Sequence, residues 1–398
     1  MSSQEQEPNR RPARTLFVAC IAHVLHDGLT DLLYVMLPIW QREFALSLAA
    51  VGLLRSLYSG AMAMFQMPSS ILGERAGARA MLVAGTALAA FCYAFASTRS
   101  SYIALAAALF AGGLGASVQH PIASNLISHA YEGTRSRAAL GTYNFSGDLG
   151  KMAVPSLVAA LLIVMPWRKA LLVVALIGLC VAVAILILMP RARVVHEASA
   201  EPGSSRIGAI FTRPFLLLLA IGAIDSATRT GFLTFLPFVI TAKGTPVQTV
   251  GFALTLIFAG GAAGKFICGF LGSRLGILAT VCITEGLTAL GIVALLPLGL
   301  GPTLAILPLL GVALNGTSSV LYGTVPELVT PSQRQRAFGI FYTVGIGSSS
   351  VSPVVAGALS DAHGIGALMV AVGALVLLTI PIAIGMQRTQ PARRPASA

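Results

Sequence analysis

Three observations place this chain in the all-α membrane class, as twelve transmembrane helices in two pseudo-symmetric six-helix bundles. Of its 398 residues, 56% are hydrophobic and only 10% are charged, against about 25% charged in a soluble domain. A water-soluble fold of this size could not leave so little polar surface. Apolar runs of the length needed to cross a bilayer, about 20 residues, recur along the whole chain. Finally, the chain matches itself when shifted by 199 residues. Leu37-Pro38 falls on Leu236-Pro237, Arg75-Ala76-Gly77 on Arg274-Leu275-Gly276, and Arg135-Ser136-Arg137-Ala138 on Arg334-Gln335-Arg336-Ala337. An apolar chain of two related halves implies transport, with the site at the interface between them.

The spans are expected at 15–40, 49–72, 79–97, 102–129, 137–165, 169–190, 213–240, 247–271, 275–298, 303–327, 334–359 and 365–387. They group into an N-terminal bundle over 15–190 and a C-terminal bundle over 213–387. Between them, 191–212 is polar and rich in Gly and Ser, which predicts a linker. Residues 1–14 and 388–398 read as basic, disordered tails.

The net charge of +12 would suggest nucleic acid in a soluble protein. Here the charges sit between apolar runs and set topology instead. Most of the 26 lysines and arginines fall on the side that holds both tails, among them Arg14, Arg75, Arg135, Arg191, Arg213 and Arg334. The other side holds Arg42, Arg99, Arg168, Lys169 and Lys243. The positive-inside rule makes the first side cytoplasmic, so both termini face inward in a multi-pass inner-membrane protein. Cys20, Cys92, Cys180, Cys268 and Cys282 all lie in apolar runs without metal-like spacing and read as reduced packing residues. Neither a cleavable signal peptide nor a metal box, nucleophile elbow or phosphate loop is recognisable, so the chain is not expected to be an enzyme. Ala259-Gly260-Gly261 and Gly264 lack a P-loop Lys-Ser pair and read as packing glycines.

The loop after span 2 runs Ser70-Ile71-Leu72-Gly73-Glu74-Arg75-Ala76-Gly77-Ala78-Arg79. It resembles the signature loop of the major facilitator superfamily, Gly-x-x-x-Asp-Arg-x-Gly-Arg-Arg. A second degenerate copy spans Gly269 to Gly276, with Ser273 at the acidic position. The resemblance implies a major facilitator fold, with gating at Glu74, Arg75, Gly77, Arg79, Arg274 and Gly276. Thr330-Pro331 reads as the cap and first turn of span 11. A carboxylate such as Glu74 near that N-terminus would gain about 0.3–1 kcal/mol from the helix dipole.

In span 5, Gly141, Asp148, Gly150 and Pro155 resemble in part the antiporter motif of that superfamily, with Val154 where the motif has glycine. In span 4, Gly113-Leu114-Gly115-Ala116-Ser117-Val118-Gln119-His120-Pro121-Ile122-Ala123-Ser124 resembles the fosmidomycin-resistance branch. So do His26-Asp27 in span 1 and Gln66 in span 2. Asp148 departs from that branch, which usually has Asn. The likeness implies proton-driven export of small polar compounds, a function connected with antibiotic resistance.

Ionisable groups within a membrane cost about 2.5–3.5 kcal/mol each on insertion scales, yet Asp27, Asp31, Arg55, Asp148, Lys151, Asp225, Arg229, Lys265 and Glu285 all lie inside spans. Asp225 with Arg229 and Asp148 with Lys151 have the spacing of intrahelical pairs. Asp27 and Asp31 share a helix face, and their repulsion suits groups that gain and lose a proton, unless Arg55 neutralises them. Spans 1, 4, 7 and 10 carry polar clusters at one depth. Proton coupling is therefore expected of Asp27, Asp31, His26 and His120. Substrate contacts are expected of Tyr34, Gln119, His120, Ser124, Asn125, Asp225, Arg229, Asn315, Ser319 and Tyr322. The expected activity is secondary active transport, as a proton-coupled exporter of a small polar or anionic compound by alternating access. The alternatives are an importer or facilitator of a small organic anion, or a receptor that has lost transport. The energy source is expected to be a proton gradient with no cofactor or metal. The partners are a small-molecule substrate and the lipid bilayer, not nucleic acid, and the protein is expected to be monomeric.

Overall fold

A computed structural model of the protein describes residues 7–131, 133–191, 210–330 and 333–389. Helices make up nearly all of them, and no strand occurs among the described residues. In chain order they are α1 Glu7–Glu43, α2 Leu48–Ala76, α3 Ala78–Thr98, α4 Tyr102–Ala116, α5 Gln119–Ala130, α6 Gly133–Val164 and α7 Trp167–Leu188. The second half has α8 Arg213–Thr241, α9 Gln248–Ala294, α10 Leu300–Thr324, α11 Arg334–Leu377 and α12 Thr379–Thr389. Ten continuous helical stretches have the length and apolarity to cross a membrane.

Two of those stretches are too long for a single crossing. Straight, the 47 residues of α9 would reach about 70 Å, more than twice a hydrocarbon core of about 30 Å. The helix reverses at Gly276 (φ 78°, ψ 173°). The helix α11 does the same at Gly364 (φ 85°, ψ 162°). These are backbone conformations essentially reserved for glycine. Each stretch thus holds two spans, and twelve result.

The repeat extends to backbone geometry. Gly77, between α2 and α3, has φ 87° and is the counterpart of Gly276. Ala45 (φ 48°) is the counterpart of Gly244 (φ 79°). The glycine of each signature-like loop is therefore required by the turn itself.

Helix starts follow local chemistry. The Ser47 hydroxyl caps α2 by accepting from Ala50 N at 3.1 Å. Thr212 caps α8, accepting from Phe215 N at 3.4 Å, with Pro214 in the first turn. Span 4 is not continuous, because Pro121 has no N–H and its ring would meet the carbonyl four residues back. It divides into α4 and α5 at Ser117-Val118.

The first tail also differs from expectation. Helix α1 extends back to Glu7, and Arg14 donates to Ile187 O at 3.1 Å, tying the start of α1 to the end of α7. Pro8 lies in the opening turn, where proline is tolerated, whereas Pro12 lies inside the helix and removes one backbone donor. Residues 1–6 and 390–398 lie outside the described residues, as do 192–209 of the expected linker and Pro331 of the expected cap.

The packing of the two halves is asymmetric about the membrane plane. On the face away from the termini, one continuous core joins both halves. It includes Leu33, Leu37, Trp40 and Tyr58 from the first half and Phe232, Phe235, Leu236 and Leu254 from the second. Towards the terminal face the core separates. One cluster contains Val18, Ile122, Tyr143 and Ile185, and the other Phe215, Leu218, Val281 and Phe341.

The seams between halves show the same taper. Along α2 and α11, Gly52 lies directly against the backbone of Pro353, and Gly357 against that of Leu48. A Cβ on Gly60 would only just reach Ser350, at 3.9 Å. Met64, Met67 and Ile71 beyond it are exposed. Along α6 and α9, Gly251 meets Ala159, Ser156 bonds Thr255, and Gln248 donates to Leu162 O at 3.0 Å. The halves are closed on the far face and apart on the terminal face.

Asp361, in the turn between spans 11 and 12, completes the far closure. Its carboxylate accepts from Leu48 N at 2.7 Å and Ala49 N at 2.8 Å. A group of one half thus caps the α2 N-terminus of the other half. Slight desolvation raises its pKa, but the two backbone amides and the Ser47 hydroxyl outweigh this and hold it below the ordinary carboxylate value. The closure therefore persists as pH falls until that lowered value is reached.

Asp361→Asn is expected to increase labelling of a single cysteine at Thr255 from the far face about two- to fivefold, equivalent to the roughly 0.3–1 kcal/mol of a carboxylate at a helix N-terminus. Unchanged labelling would contradict the latch. Gly77→Ala and Gly276→Ala should each cost about 1–3 kcal/mol in detergent unfolding. Gly141 has no neighbour within 4 Å of a Cβ position, so Gly141→Ala should be neutral or stabilising by about 0.5–1 kcal/mol.

Candidate functional site

Where the two cores part, a cavity of about 540 Å³ opens between the halves. Helix α1 supplies His23 and Asp27, α5 supplies His120, and α6 supplies Asn144 and Lys151. From the second half come Asp225, Ser226 and Arg229 on α8, Lys265 on α9, and Asn315, Ser318, Ser319 and Tyr322 on α10. Phe341, Tyr342 and Ser349 on α11 complete the wall. Asp27, His120, Asp225, Arg229, Asn315, Ser319 and Tyr322 thus meet in one cavity, as their shared depth predicts.

Charges in this cavity form a chain that crosses it. Lys151 Nζ lies 3.3 Å from Asp27 Oδ2 and 3.5 Å from Asp148 Oδ1. Lys265, from the opposite half, donates to both oxygens of Asp148, at 2.7 and 2.6 Å. The expected Asp148–Lys151 pair is therefore only one link in a longer series. Arg229 forms the intrahelical pair expected of it, with Asp225 Oδ2 at 3.0 Å, and also reaches Ser226 Oγ at 3.4 Å.

Exposure is unequal within these pairs. The side chains of Lys265, Lys151 and Arg229 are 37%, 30% and 24% accessible, against 9%, 10% and 4% for Asp148, Asp27 and Asp225. The cations face the cavity, and the carboxylates lie behind them. Such a surface attracts anions although its formal charges balance.

Around Asp27 the other oxygen, Oδ1, faces imidazoles: His23 Nε2 at 3.4 Å, and His26 Nε2 and His120 Nε2 each at 3.8 Å. The His23 ring stacks on Tyr143 at 4.0 Å, and its Nδ1 donates to Tyr143 O at 2.7 Å. Space for this arrangement comes from α6. A Cβ on Gly147 would stand 2.5 Å from Asp27 Oδ2 and 2.7 Å from His23. Gly150 lies against the Val24 backbone, and Val154, which replaces the motif glycine, fills the notch at Gly28. Pro155 packs on the far seam at Gly251.

Other expected residues stand elsewhere. Asp31 is buried behind the wall, with Arg55 Nη2 at 3.8 Å, and Arg55 donates to Tyr34 Oη at 3.1 Å. This is the neutralised arrangement that the sequence left open. His26 and Gln119 border a narrow crevice behind α1. Ser124 and Asn125 lie further along α5, outside the cavity wall. Glu74 and Arg75 stand at the end of α2, Arg79 at the start of α3, and Arg274 just before the reversal of α9 at Gly276, over the Phe270 ring at 4.2 Å.

His23, Lys151, Lys265 and the α11 residues were not among the expected site residues. The spacing of His23 four residues before Asp27, on the same face, was a readable signal. Lys265 was visible as an intramembrane charge, but its partner comes from the other half.

If Lys265 and Asp148 join the halves, Asp148→Asn and Lys265→Met should each lower the unfolding midpoint. The double variant should recover part of the loss, giving a coupling energy of about 0.5–3 kcal/mol. Additive losses would remove the link.

The family model described as Major Facilitator Superfamily matches residues 19–310 and 218–398. The MFS-type transporter YfnC of Bacillus subtilis (strain 168), itself uncharacterized, is 25% identical over 394 residues, covering 94% of this chain and 93% of that protein. Multidrug resistance protein MdtL of Shigella flexneri serotype 5b (strain 8401) is 22% identical over 382 residues, covering 92% and 93%. A bacterial homologue of the human lysosomal transporter Spinster, crystallised inward-facing and occupied, superposes with TM-score 0.80 at 15% identity, over 98% of this chain and 99% of that one. The first of these matches alone spans more than half of the chain: the chain belongs to the Major Facilitator Superfamily, a family of membrane transporters.

Proposed function

We propose that this transporter exports a small polar or anionic compound in exchange for protons, by alternating access, as a monomer in the inner membrane with both termini cytoplasmic. The observation that carries the reading is the arrangement of charge in the cavity. Three cations face the open space while their carboxylates lie beneath them. An anion entering from the terminal face would meet Arg229 and Lys265 on one wall and Lys151 on the other.

Coupling is assigned to Asp27 with His23 and His120. Asp27 is the carboxylate at the cavity that has imidazoles on one oxygen and an ammonium on the other. A proton arriving there weakens its hold on Lys151, and Lys151 then leans on Asp148, the residue that joins the halves. Protonation on one wall is thereby linked to the bond that spans the cavity. Asp31 is the weaker candidate, because Arg55 already neutralises it away from the cavity. Export rather than import rests on the likeness of the His120-Pro121 segment to the fosmidomycin-resistance branch and on MdtL, named for multidrug resistance, among the relatives.

In everted vesicles energised by respiration, the wild-type protein should dissipate the pH gradient when its substrate is added. Asp27→Asn should abolish this while leaving exchange of labelled substrate for unlabelled substrate intact. Survival of uphill transport in the Asn variant would defeat the assignment. A deletion strain tested on a panel of toxic anions that includes phosphonates identifies the substrate. Accumulation by intact cells in place of expulsion would reverse the direction.

A further inference from the structure

The imidazoles around Asp27 hold an arrangement that one proton cannot satisfy. A carbonyl oxygen only accepts hydrogen bonds, so the 2.7 Å contact to Tyr143 O places a hydrogen on His23 Nδ1. In neutral His23 the Nε2 atom then carries a lone pair. That atom is buried, has no hydrogen-bond partner, and points at a carboxylate oxygen 3.4 Å away. Two acceptors facing each other are reconciled by a cation between them, either a proton or a metal ion. A charge-assisted hydrogen bond would draw them to about 2.7–2.9 Å, closer than observed, and would leave His120, 3.8 Å from the same oxygen, unserved.

We infer that His23, Asp27 and His120 form a binding site for a divalent transition-metal ion of the imidazole-preferring class, such as Zn²⁺. The ligand atoms of the three residues all lie within 4.8 Å of one another. Around a tetrahedral ion with ligands at about 2.0–2.1 Å, neighbouring ligand atoms stand about 3.3 Å apart. The separations of 3.4 and 3.8 Å from Asp27 are close to that value, and the two imidazoles, within 4.8 Å of each other, would draw together around the ion. The Nδ1–H to carbonyl bond of His23 is the kind of outer contact that fixes the tautomer and ring orientation of a metal-ligating histidine.

Lys151 occupies the opposite oxygen, Oδ2, so it opposes the ion's charge without blocking its position. With three protein ligands, a fourth position remains open onto the cavity, where water or an oxygen of an anion completes the shell. The inference departs from the expectation of no metal, and the reason is geometric. The ligands come from one turn of α1 and from the distant start of α5, a spacing that no linear motif records. It does not depend on the export reading, because it concerns binding alone.

The test uses full-length protein, purified without a histidine tag and treated with chelator. Zn²⁺ binding is followed by calorimetry and Co²⁺ binding by visible absorption. One ion per chain is expected, with the absorption of tetrahedral Co²⁺. His120→Ala and Asp27→Asn should each weaken binding about tenfold or more, and Lys151→Met should tighten it. His120→Ala truncates a side chain at the cavity surface, and retained monodispersity with an unchanged unfolding midpoint certifies its fold. Absence of stoichiometric binding in wild-type protein would overturn the site. So would binding that both variants leave unchanged, which would assign the ion to surface groups such as His129 or His363. Proton-driven flux measured in chelator is read separately, so its survival without metal binding would remove this inference and leave the transport assignment standing.

Discussion

Asp148 is the point on which the two halves depend. It is a buried carboxylate on α6 that accepts from Lys265 of the opposite half through both oxygens, while Lys151 of its own helix stands 3.5 Å away. Removing one partner from such a site would leave a charge in a medium that solvates it poorly. The ion series Asp27, Lys151, Asp148 and Lys265 therefore behaves as one unit. A change of charge at the Asp27 end alters what Lys151 contributes to Asp148, and so the strength of the only members of the series that bridge the cavity. Under the coupling role proposed for Asp27, a proton at one wall has a physical route to the position of the other wall, without any distant conformational signal.

The apolar packing determines which movements that route can drive. A single core on the far face and two separate cores on the terminal face make the halves a clamp hinged away from the termini. The seams that close it are built from close backbone approach. Gly52 on Pro353, Gly357 on Leu48 and Gly251 on Ala159 exclude larger side chains. Contacts of this kind depend on shape, are shed in small steps, and carry no desolvated charge. Among the described residues, Asp361 adds a charged latch there, and it does so at the exposed rim, where water replaces its partners cheaply when the seam opens. Among the buried charges that join the two halves, the costly ones, Asp148 and Lys265, lie at the cavity.

Much of this was legible in the sequence because it is periodic or costly. The twelve spans follow from hydropathy, and the 199-residue repeat pairs Gly77 with Gly276 in the same glycine-only backbone conformation. Seven of the expected cavity residues face one another because intramembrane polar groups at a common depth have few other uses. Partnership across helices was not legible. Asp31 resembles Asp27 in sequence, yet it turns towards Arg55 and away from the cavity. Lys265 is an isolated charge in sequence, and only packing brings it to Asp148. The α11 wall carries Phe341, Tyr342 and Ser349, which look like ordinary span residues until the helix is placed.

The repeat also shows how the two halves divide the cavity charges, with the cavity histidines in the first half. Asp225 and Ser226 occupy the positions of His26 and Asp27, and Arg229 that of Thr30. In the second half the carboxylate and its cation sit four residues apart on one helix and neutralise each other locally. In the first half Asp27 has no lysine or arginine within a turn of it on α1 and takes Lys151 from α6, with imidazoles filling its other side. A locally closed pair is hard to perturb, whereas a carboxylate served by three separate helices responds to anything that competes for it. Divergence of two similar halves has thus left one wall with a fixed charge pair and the other with an exchangeable one. The exchange proposed above would use both: one wall that holds its ligand the same way throughout, and one whose affinity for a cation changes as the cavity changes sides.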